Sequence, residues 1–195
     1  MRSPLLSSRA LWLALCLLAA GCGHMPVMSL AKLARVDFES TDPAQLRAAV
    51  KLPLAVKPLP QGVVLRIAVK VGRSPEDMRE FMLRELPTPP ELASEAGAGT
   101  HVFAYRIDEA DLPRLLAFRS ELIARKGAGS PGGSISIAVH TRGCKTADLA
   151  DGPVYLTTYL RTAETGDYVA LTRDVDLRSL VPGRAIVDEI PRCPA

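Results

Sequence analysis

The four cysteines are the side chains of this sequence with the most sharply defined chemistry. Cys144 and Cys193 lie in the last third of the chain, and an even pair of thiols predicts a disulfide if the chain is exported to an oxidising compartment. Two free buried thiols are an alternative, and metal binding is a third, although the sequence contains no CxxC spacing. Cys16 and Cys22 lie near the N-terminus, so their fate depends on the role of that segment.

Residues 1–21 have the layout of a secretory signal. Arg2 and Arg9 give a positively charged start, residues 10–20 form an apolar run that contains Cys16, and small residues end the segment. The apolar run is about half of the roughly 20 residues that a membrane-spanning helix needs. We therefore expect a cleaved export signal and no permanent transmembrane anchor.

The run "LAAGC", residues 18–22, resembles the lipobox of bacterial lipoproteins, with leucine one position further from the cysteine than is usual. The resemblance implies cleavage before Cys22, a diacylglycerol thioether on its sulfur and an acylated amine. The next residue is Gly23 rather than aspartate, which in the sorting rule of this class implies the outer membrane, with the domain facing the periplasm. The segments "MSLAKLARVDFESTD" and "LRAAVKLP" are also similar to uncharacterised lipoproteins of Gram-negative bacteria.

Lipidation would decide how the protein is held at a membrane. Each buried methylene contributes about 0.8 kcal/mol to membrane binding, so two or three acyl chains on Cys22 would anchor the chain stably. Loss of Cys16 and lipidation of Cys22 would leave an even pair of thiols. Two alternatives stay open. Ala19 and Gly21 also permit ordinary signal-peptidase cleavage and a soluble product, and an uncleaved segment would act as a signal anchor.

The charge balance argues against nucleic-acid binding. The chain has 24 basic and 21 acidic residues and a formal net charge of +3, part of which leaves with the signal. Basic and acidic residues are interspersed, as in "TRDVDLRS", and form no polybasic block. Aromatic residues make up only 5% of the chain, too few for a platform that stacks bases or sugars. The expected partners are a membrane, through the N-terminal lipid, and another envelope protein.

No pattern in the sequence identifies a catalytic centre. Residues 128–132 read A-x-S-x-G, a variant of the hydrolase nucleophile elbow. An elbow needs a strand before the serine and a helix after it, and the predicted order is the reverse. The glycine-rich loop of residues 127–134 is therefore predicted to be a flexible connector. Carboxylates are numerous, but spacing alone cannot reveal a glycosidase-type pair. We expect no catalytic residues and no cofactor.

His101 and His140 are the candidate metal ligands. Each lies at the end of a predicted strand, and the two would form a site with Asp108 only if those strands paired. Nothing in their spacing requires that pairing, so we expect no metal.

A row of polar and aromatic residues on one predicted strand is a possible recognition surface. Tyr155, Tyr159 and Arg161 share one face of that strand. The alternative is that this face is the second side of a sheet, partly covered by the helix.

Alternation of apolar and polar residues predicts a chain rich in strands. In "VVLRIAVKV", Leu65, Ile67 and Val69 share one face, and Arg66 and Lys70 lie on the other. Further strands are predicted in "HVFAYRI" (101–107), "SISIAVH" (134–140), "VYLTTYLR" (154–161) and "YVALTR" (168–173), and weaker ones in "ARVDFES" near Val36 and "LRAAVKLP" near Val50. "ETGD" is a turn signal, so residues 153–173 are predicted to form a hairpin.

Residues 111–127, "DLPRLLAFRSELIARKG", predict the one clear helix. Asp111 is a candidate cap, Pro113 lies in the first turn and Gly127 suits the end. Residues 74–86, "SPEDMREFMLREL", are an ambiguous helix candidate, because Ser74 and Asp77 resemble a capping box but Pro87, Pro89 and Pro90 follow closely.

The strands do not alternate regularly with helices, which favours a mainly β fold. We predict an antiparallel β-sandwich-like domain with one packed α-helix, with an α+β fold as the alternative. The predicted organisation is a signal peptide in residues 1–21, a lipidated N-terminus and short tether in residues 22–30, and a single β-rich domain in residues 31–195.

The functional prediction is a non-catalytic, lipid-anchored envelope protein with a binding or scaffolding role. Two alternatives are an envelope hydrolase whose site is assembled from distant residues and a carrier of a lipid or small apolar ligand. A cleft with convergent titratable groups would favour the hydrolase. A closed apolar cavity of about several hundred Å³ would favour the carrier. An exposed patch or an unpaired strand edge would favour the scaffold.

Overall fold

The computed structural model of the chain describes residues 27–72, 74–127, 133–179 and 186–194. Its main feature is one antiparallel sheet of seven strands that curls until it is nearly closed. The strands are β1 (Arg47–Pro53), β2 (Val56–Val71), β3 (Asp77–Leu86), β4 (Thr100–Ile107), β5 (Gly133–Lys145), β6 (Tyr155–Arg161) and β7 (Val169–Asp176), and their order across the sheet is β5-β2-β3-β4-β1-β6-β7. The mainly β, antiparallel prediction is confirmed.

Three helices accompany the sheet within the described ranges: α1 (Val27–Leu33), α2 (Leu112–Gly127) and α3 (Ile186–Glu189). The predicted helix is α2, which packs on the inner face of the sheet through Leu115, Phe118 and Leu122. The α1 helix begins inside the predicted tether of residues 22–30, and its Ser29 is only 6% exposed. The packed structure therefore includes part of the predicted tether.

The side chain of Asp111 connects the start of α2 to the sheet. One carboxylate oxygen accepts from the backbone N–H of Met82 at 2.5 Å, and the other accepts from the Arg114 guanidinium at 2.5 Å. Because Met82 lies on β3, this carboxylate fixes the position of the helix relative to that strand.

Both faces of the sheet are covered in part. The larger core lies on the inner face, between the sheet and α2, and includes Leu65, Ile67 and Phe81. A smaller core lies on the outer face, where Leu92 packs over small side chains of the sheet: Ala49, Ala104 and Ala170. Leu92 belongs to the β3–β4 connection, residues 87–99, which crosses this face.

The structure decides the conformation of two segments, one that the sequence left ambiguous and one that it assigned differently. The ambiguous residues 74–86 contain strand β3, which pairs with β2 on one side and β4 on the other. The weak strand predicted near Val36 is wrong. The Asp37 side chain accepts from the Glu39 N–H and the Ser40 hydroxyl, and such local bonds favour a turn over a strand.

Cys144 and Cys193 form a disulfide, with their Cα atoms 4.8 Å apart. Around it, the Lys145 N–H donates to the Pro191 carbonyl at 2.7 Å, and the Cys193 N–H donates to the Lys145 carbonyl at 2.9 Å. The C-terminal tail is therefore attached to the end of β5 by a covalent bond and two backbone hydrogen bonds.

Candidate functional site

The two edges of the sheet are strands β5 and β7. Each strand is antiparallel to its neighbour, so the first and seventh strands of the order run in the same direction. A single strand antiparallel to both would therefore complete an eight-stranded antiparallel barrel. The tail at Arg192 bridges to Lys145 and occupies the far end of the β5 edge.

An apolar groove of about 510 Å³ lies between these edges, and we call it the edge groove. Ile135 and Ile137 of β5 form one wall, and both are half-buried. Leu171 of β7 lies across from them. The remaining lining comes from Leu160 of β6, from Leu33 at the end of α1, and from Val36, Asp37 and Phe38 in the segment that follows. Ser136, whose side chain is exposed, lies on the rim.

A smaller cavity, more enclosed than the edge groove, lies beside it and shares Val36, Phe38, Ile137 and Leu160 with it. Its volume is about 20 Å³, and Leu65, Leu115 and other apolar side chains line it. A cavity of this size holds about one water molecule. This cavity is therefore too small to hold an apolar ligand.

The residues of the predicted recognition surface have three different environments. Tyr155 is 48% exposed, Arg161 is half-buried, and Tyr159 is only 1% exposed. The β3–β4 connection covers Tyr159, and the Tyr159 hydroxyl donates to the Glu95 carboxylate at 2.6 Å. The structure therefore brings Tyr159 and Arg161 to the wall of one cleft of about 400 Å³, with Tyr155 outside it.

Titratable groups converge in this cleft. Arg173 approaches Glu95 at 3.5 Å and lies over the Tyr159 ring, and Arg161 pairs with Glu91 at 2.9 Å. Burial raises the pKa of Tyr159, and the hydrogen bond to Glu95 raises it further. Burial alone would raise the pKa of Glu95, but hydrogen bonds from Tyr159 and Arg173 outweigh burial and leave the pKa lowered.

Both pKa values therefore lie further from neutral pH than those of the free groups. A general acid or base works best with a pKa near the operating pH, whereas Glu95 stays ionised and Tyr159 stays protonated. The arrangement suits a polar clasp that holds the β3–β4 connection on the sheet.

Sequence reasoning did not identify Glu95 or Arg173 as members of a polar cluster. Glu95 is 64 residues from Tyr159 and 78 residues from Arg173. Only the strand order brings the three together, and no local pattern carries that information.

The two histidines lie on strands that do not pair. Strand β4 carries His101 and β5 carries His140, and β2 and β3 separate them in the sheet. Burial lowers the pKa of His140, and the nearby Arg66 lowers it further. No group of three or more His, Cys, Asp or Glu side chains among the described residues is placed to hold a metal ion.

Two other predictions lie outside the described residues. Cys22, with the signal and lipobox-like run before it, precedes residue 27, and the A-x-S-x-G pattern falls in residues 128–132.

Within the described ranges, no helix has the length and apolar character needed to cross a bilayer. Comparisons with protein-family models, curated proteins and solved structures found no match.

Proposed function

We propose that this chain is a lipid-anchored protein of the bacterial cell envelope that binds, without catalysis, an extended segment of another envelope protein. The observation that carries the proposal is the edge groove, where an apolar cleft lies beside the edge of β5. The proposed location is the outer membrane, with the domain in the periplasm and Cys22 as the lipid site.

The chemistry of the edge groove favours an extended polypeptide as its occupant. An edge strand presents N–H and C=O groups that can pair with an added strand. Ile135 and Ile137 offer apolar contacts at the two-residue spacing with which a strand places side chains on one face. A segment with alternating apolar residues would satisfy both the backbone groups and the groove.

The alternatives receive less support from the geometry. A carrier needs a cavity of about several hundred Å³ that encloses most of its ligand, and the enclosed cavity has a volume of about 20 Å³. In the cleft beside Tyr159, the glutamates are held by arginines, and the pKa of Glu95 is lowered. The geometry of the edge groove therefore supports binding of an extended segment more directly than these observations support a carrier or a hydrolase.

Site-specific photo-crosslinking tests the proposal. A photo-reactive residue at position 136 lies on the rim of the edge groove, and one at position 78 lies on the outer face of β3, where Met78 is 54% exposed. In cells that make the protein, we expect one adduct of defined mass from position 136 and none of that mass from position 78.

Matched lysine variants on β5 show whether the adduct depends on the groove. Ile137→Lys puts a charge into the groove, whereas Ala138→Lys changes the neighbouring exposed residue on the other face. We expect Ile137→Lys to reduce the adduct about tenfold or more and Ala138→Lys to leave it unchanged. Equal yields in both variants would contradict the proposal. Thermal unfolding checks that each variant is folded, and Ile137→Ser is the milder replacement.

The role of the anchor is tested in the same assay. Cys22→Ser, made with residues 1–21 replaced by a signal that ordinary signal peptidase removes, lacks both the lipid site and the apolar run, and it should reduce the adduct because the protein would no longer be held beside its partner. A full adduct yield in Cys22→Ser would show that tethering is not needed for the interaction and would contradict the tethered scaffold.

A further inference from the structure

Four arginines lie side by side across four adjacent strands of the sheet. The register pairs Arg84 of β3 with Arg106 of β4, Arg106 with Arg47 of β1, and Arg47 with Arg161 of β6. Directly opposed residues of neighbouring strands project from the same face. We call this set the arginine row. It spans three inter-strand spacings, about 14 Å.

The arginine row lies on the outer face and is accessible. The side chains of Arg84, Arg161 and Arg106 are 60%, 40% and 33% exposed. Arg47 is half-buried and donates to the Ala44 and Leu46 carbonyls, both at 2.8 Å. These backbone contacts hold one guanidinium of the row in place.

Acidic partners compensate the charge only in part. Arg84 pairs with Asp108 at 2.8 Å, Arg106 with Glu109 at 2.7 Å, and Arg161 with Glu91 at 2.9 Å. Four guanidiniums thus share three partner carboxylates. The Glu109 and Glu91 side chains are 71% and 47% exposed, so these pairs are weak and can exchange their partner for another anion.

Like charges placed directly opposite each other destabilise a sheet. Here three pairs of directly opposed arginines follow one another: Arg84–Arg106, Arg106–Arg47 and Arg47–Arg161. An anion laid along the row would relieve this repulsion. Guanidinium groups are well suited to phosphate because they donate two parallel hydrogen bonds to it.

The arginine row lies at the end of the sheet from which the N-terminal segment departs. Arg161 is the last residue of β6, and Asp167, in the turn that follows, pairs with Lys32 of α1 at 3.2 Å. Arg47 directly follows the segment that links α1 to β1. From Cys22 to the start of α1 there are five residues, which span at most about 18 Å.

We infer that the arginine row binds the phosphate groups of anionic phospholipids at the surface of the membrane to which the protein is attached. This rests on the proposed function, because a lipid on Cys22 would bring this end of the domain to the bilayer. Contact through the row would fix the orientation of the domain relative to the bilayer.

Vesicle binding tests the inference with the Cys22→Ser form of the mature chain, residues 22–195, which lacks the apolar run of the proposed signal and has no sulfur at position 22 to carry a lipid. We expect it to sediment with vesicles of phosphatidylglycerol mixed with phosphatidylcholine and not with pure phosphatidylcholine, and binding should weaken as salt is added. Removal of one arginine near an anionic surface lowers binding about fivefold. The double variant Arg84→Gln, Arg106→Gln should therefore bind about 25-fold more weakly.

The matched control removes two surface arginines that lie outside the row. Arg125 pairs with Asp77 and Glu121, and Arg192 pairs with Asp148. The double variant Arg125→Gln, Arg192→Gln changes the net charge equally. An equal loss of binding in this control would overturn the inference, because it would reflect net charge alone. Tight binding of inorganic phosphate to the row in the absence of vesicles would also overturn it, because the row would then be the site of a free anion.

A second variant protects the test against misfolding. The double variant Glu91→Gln, Glu109→Gln removes two of the partner carboxylates. It should increase binding to the anionic vesicles several-fold. A misfolded chain would not show an increase that is confined to the anionic vesicles. No increase would contradict the inference. Failure of vesicle binding while wild-type Cys22 still incorporates palmitate would overturn the arginine row and leave the proposed anchor intact.

Discussion

At the scale of single residues, the polar clasp around Glu95 is the contact with the clearest energetic consequence. The Glu95 side chain is 29% exposed and accepts from Tyr159 at 2.6 Å. Hydrogen bonds to an ionised group contribute more to stability than those between neutral groups. The clasp holds the β3–β4 connection, whose Leu92 seals the outer core.

Glu95→Gln should reduce the unfolding free energy by about 1–2 kcal/mol at neutral pH, because the charge-assisted bonds become neutral ones. The pKa of Glu95 is lowered in the folded protein. Its contribution is therefore present above the ordinary carboxyl pKa and is lost as the pH falls through the folded value. Urea unfolding at several pH values should show the wild type approaching the variant on acidification.

Glu91→Gln is the matched control for this prediction, because Glu91 lies in the same connection but pairs with Arg161 at the surface. We expect its effect to be under about 1 kcal/mol. A larger loss from Glu91→Gln than from Glu95→Gln would contradict the assignment of the clasp to Glu95.

The disulfide leads to a second residue-scale prediction. The bond joins residues separated by 49 positions, and closing such a loop restricts the unfolded chain by about 4 kcal/mol. The double variant Cys144→Ser, Cys193→Ser should therefore unfold at a clearly lower urea concentration than the oxidised wild type. A reductant should shift the wild type toward the variant and leave the variant unchanged. Two reactive thiols in the unreduced wild-type protein would contradict the bond.

At the scale of elements, strand β2 carries the main irregularity of the sheet. Its register with β5 shifts between Pro58 and Val63. A Cβ atom at Gly62 would lie 2.7 Å from the Arg142 carbonyl oxygen and 2.8 Å from that of Leu59. Both are backbone atoms, so the strand can accept a side chain here only by moving.

Gly62→Ala should therefore destabilise the protein by about 1–3 kcal/mol, the usual cost of overpacking. Gly97→Ala is the control, because a Cβ there would come no closer than 3.9 Å to Thr100. Thermal unfolding of the two variants tests whether β2 can accept a Cβ atom at this register shift. Equal midpoints would show that β2 adapts at no cost.

The strands that could be predicted are those with one clear apolar face. β2, β4, β5, β6 and β7 were predicted from alternation, because burying one face requires it. β3 was not predicted as a strand, because its alternation is broken: Met78 and Met82 point outward, while Arg79 lies on the inner side with its guanidinium over the Phe118 ring. Pairing with β2 and β4 decides its conformation, and that information is not local.

The candidate sites could be predicted less well than the strands, because they depend on register. Each member of the arginine row is an unremarkable polar residue of its own strand, and only the ladders align the four. The edge groove likewise needs the strand order, which puts β5 and β7 at opposite edges. The disulfide was predictable because it required only two cysteines and an oxidising compartment.

At the scale of the whole molecule, the N-terminal segment connects the proposed anchor to both candidate sites. Leu33, Val36 and Phe38 form a wall of the edge groove. The same segment leads into Arg47 of the arginine row and is joined to the β6–β7 turn through Lys32. A lipid at Cys22 would therefore set the distance of both sites from the bilayer.

The proposed anchor itself leads to the last prediction. Cys22→Ser should abolish incorporation of radioactive palmitate, because position 22 then has no sulfur to form the thioether. Cys16→Ser is the matched control, since Cys16 lies in the apolar run of the proposed signal and would be removed with it. It should leave labelling and the Cys144–Cys193 disulfide unchanged. Intact mass measurement of the purified wild-type protein completes the test, because an unmodified N-terminus would contradict lipidation even if the protein remained with membranes.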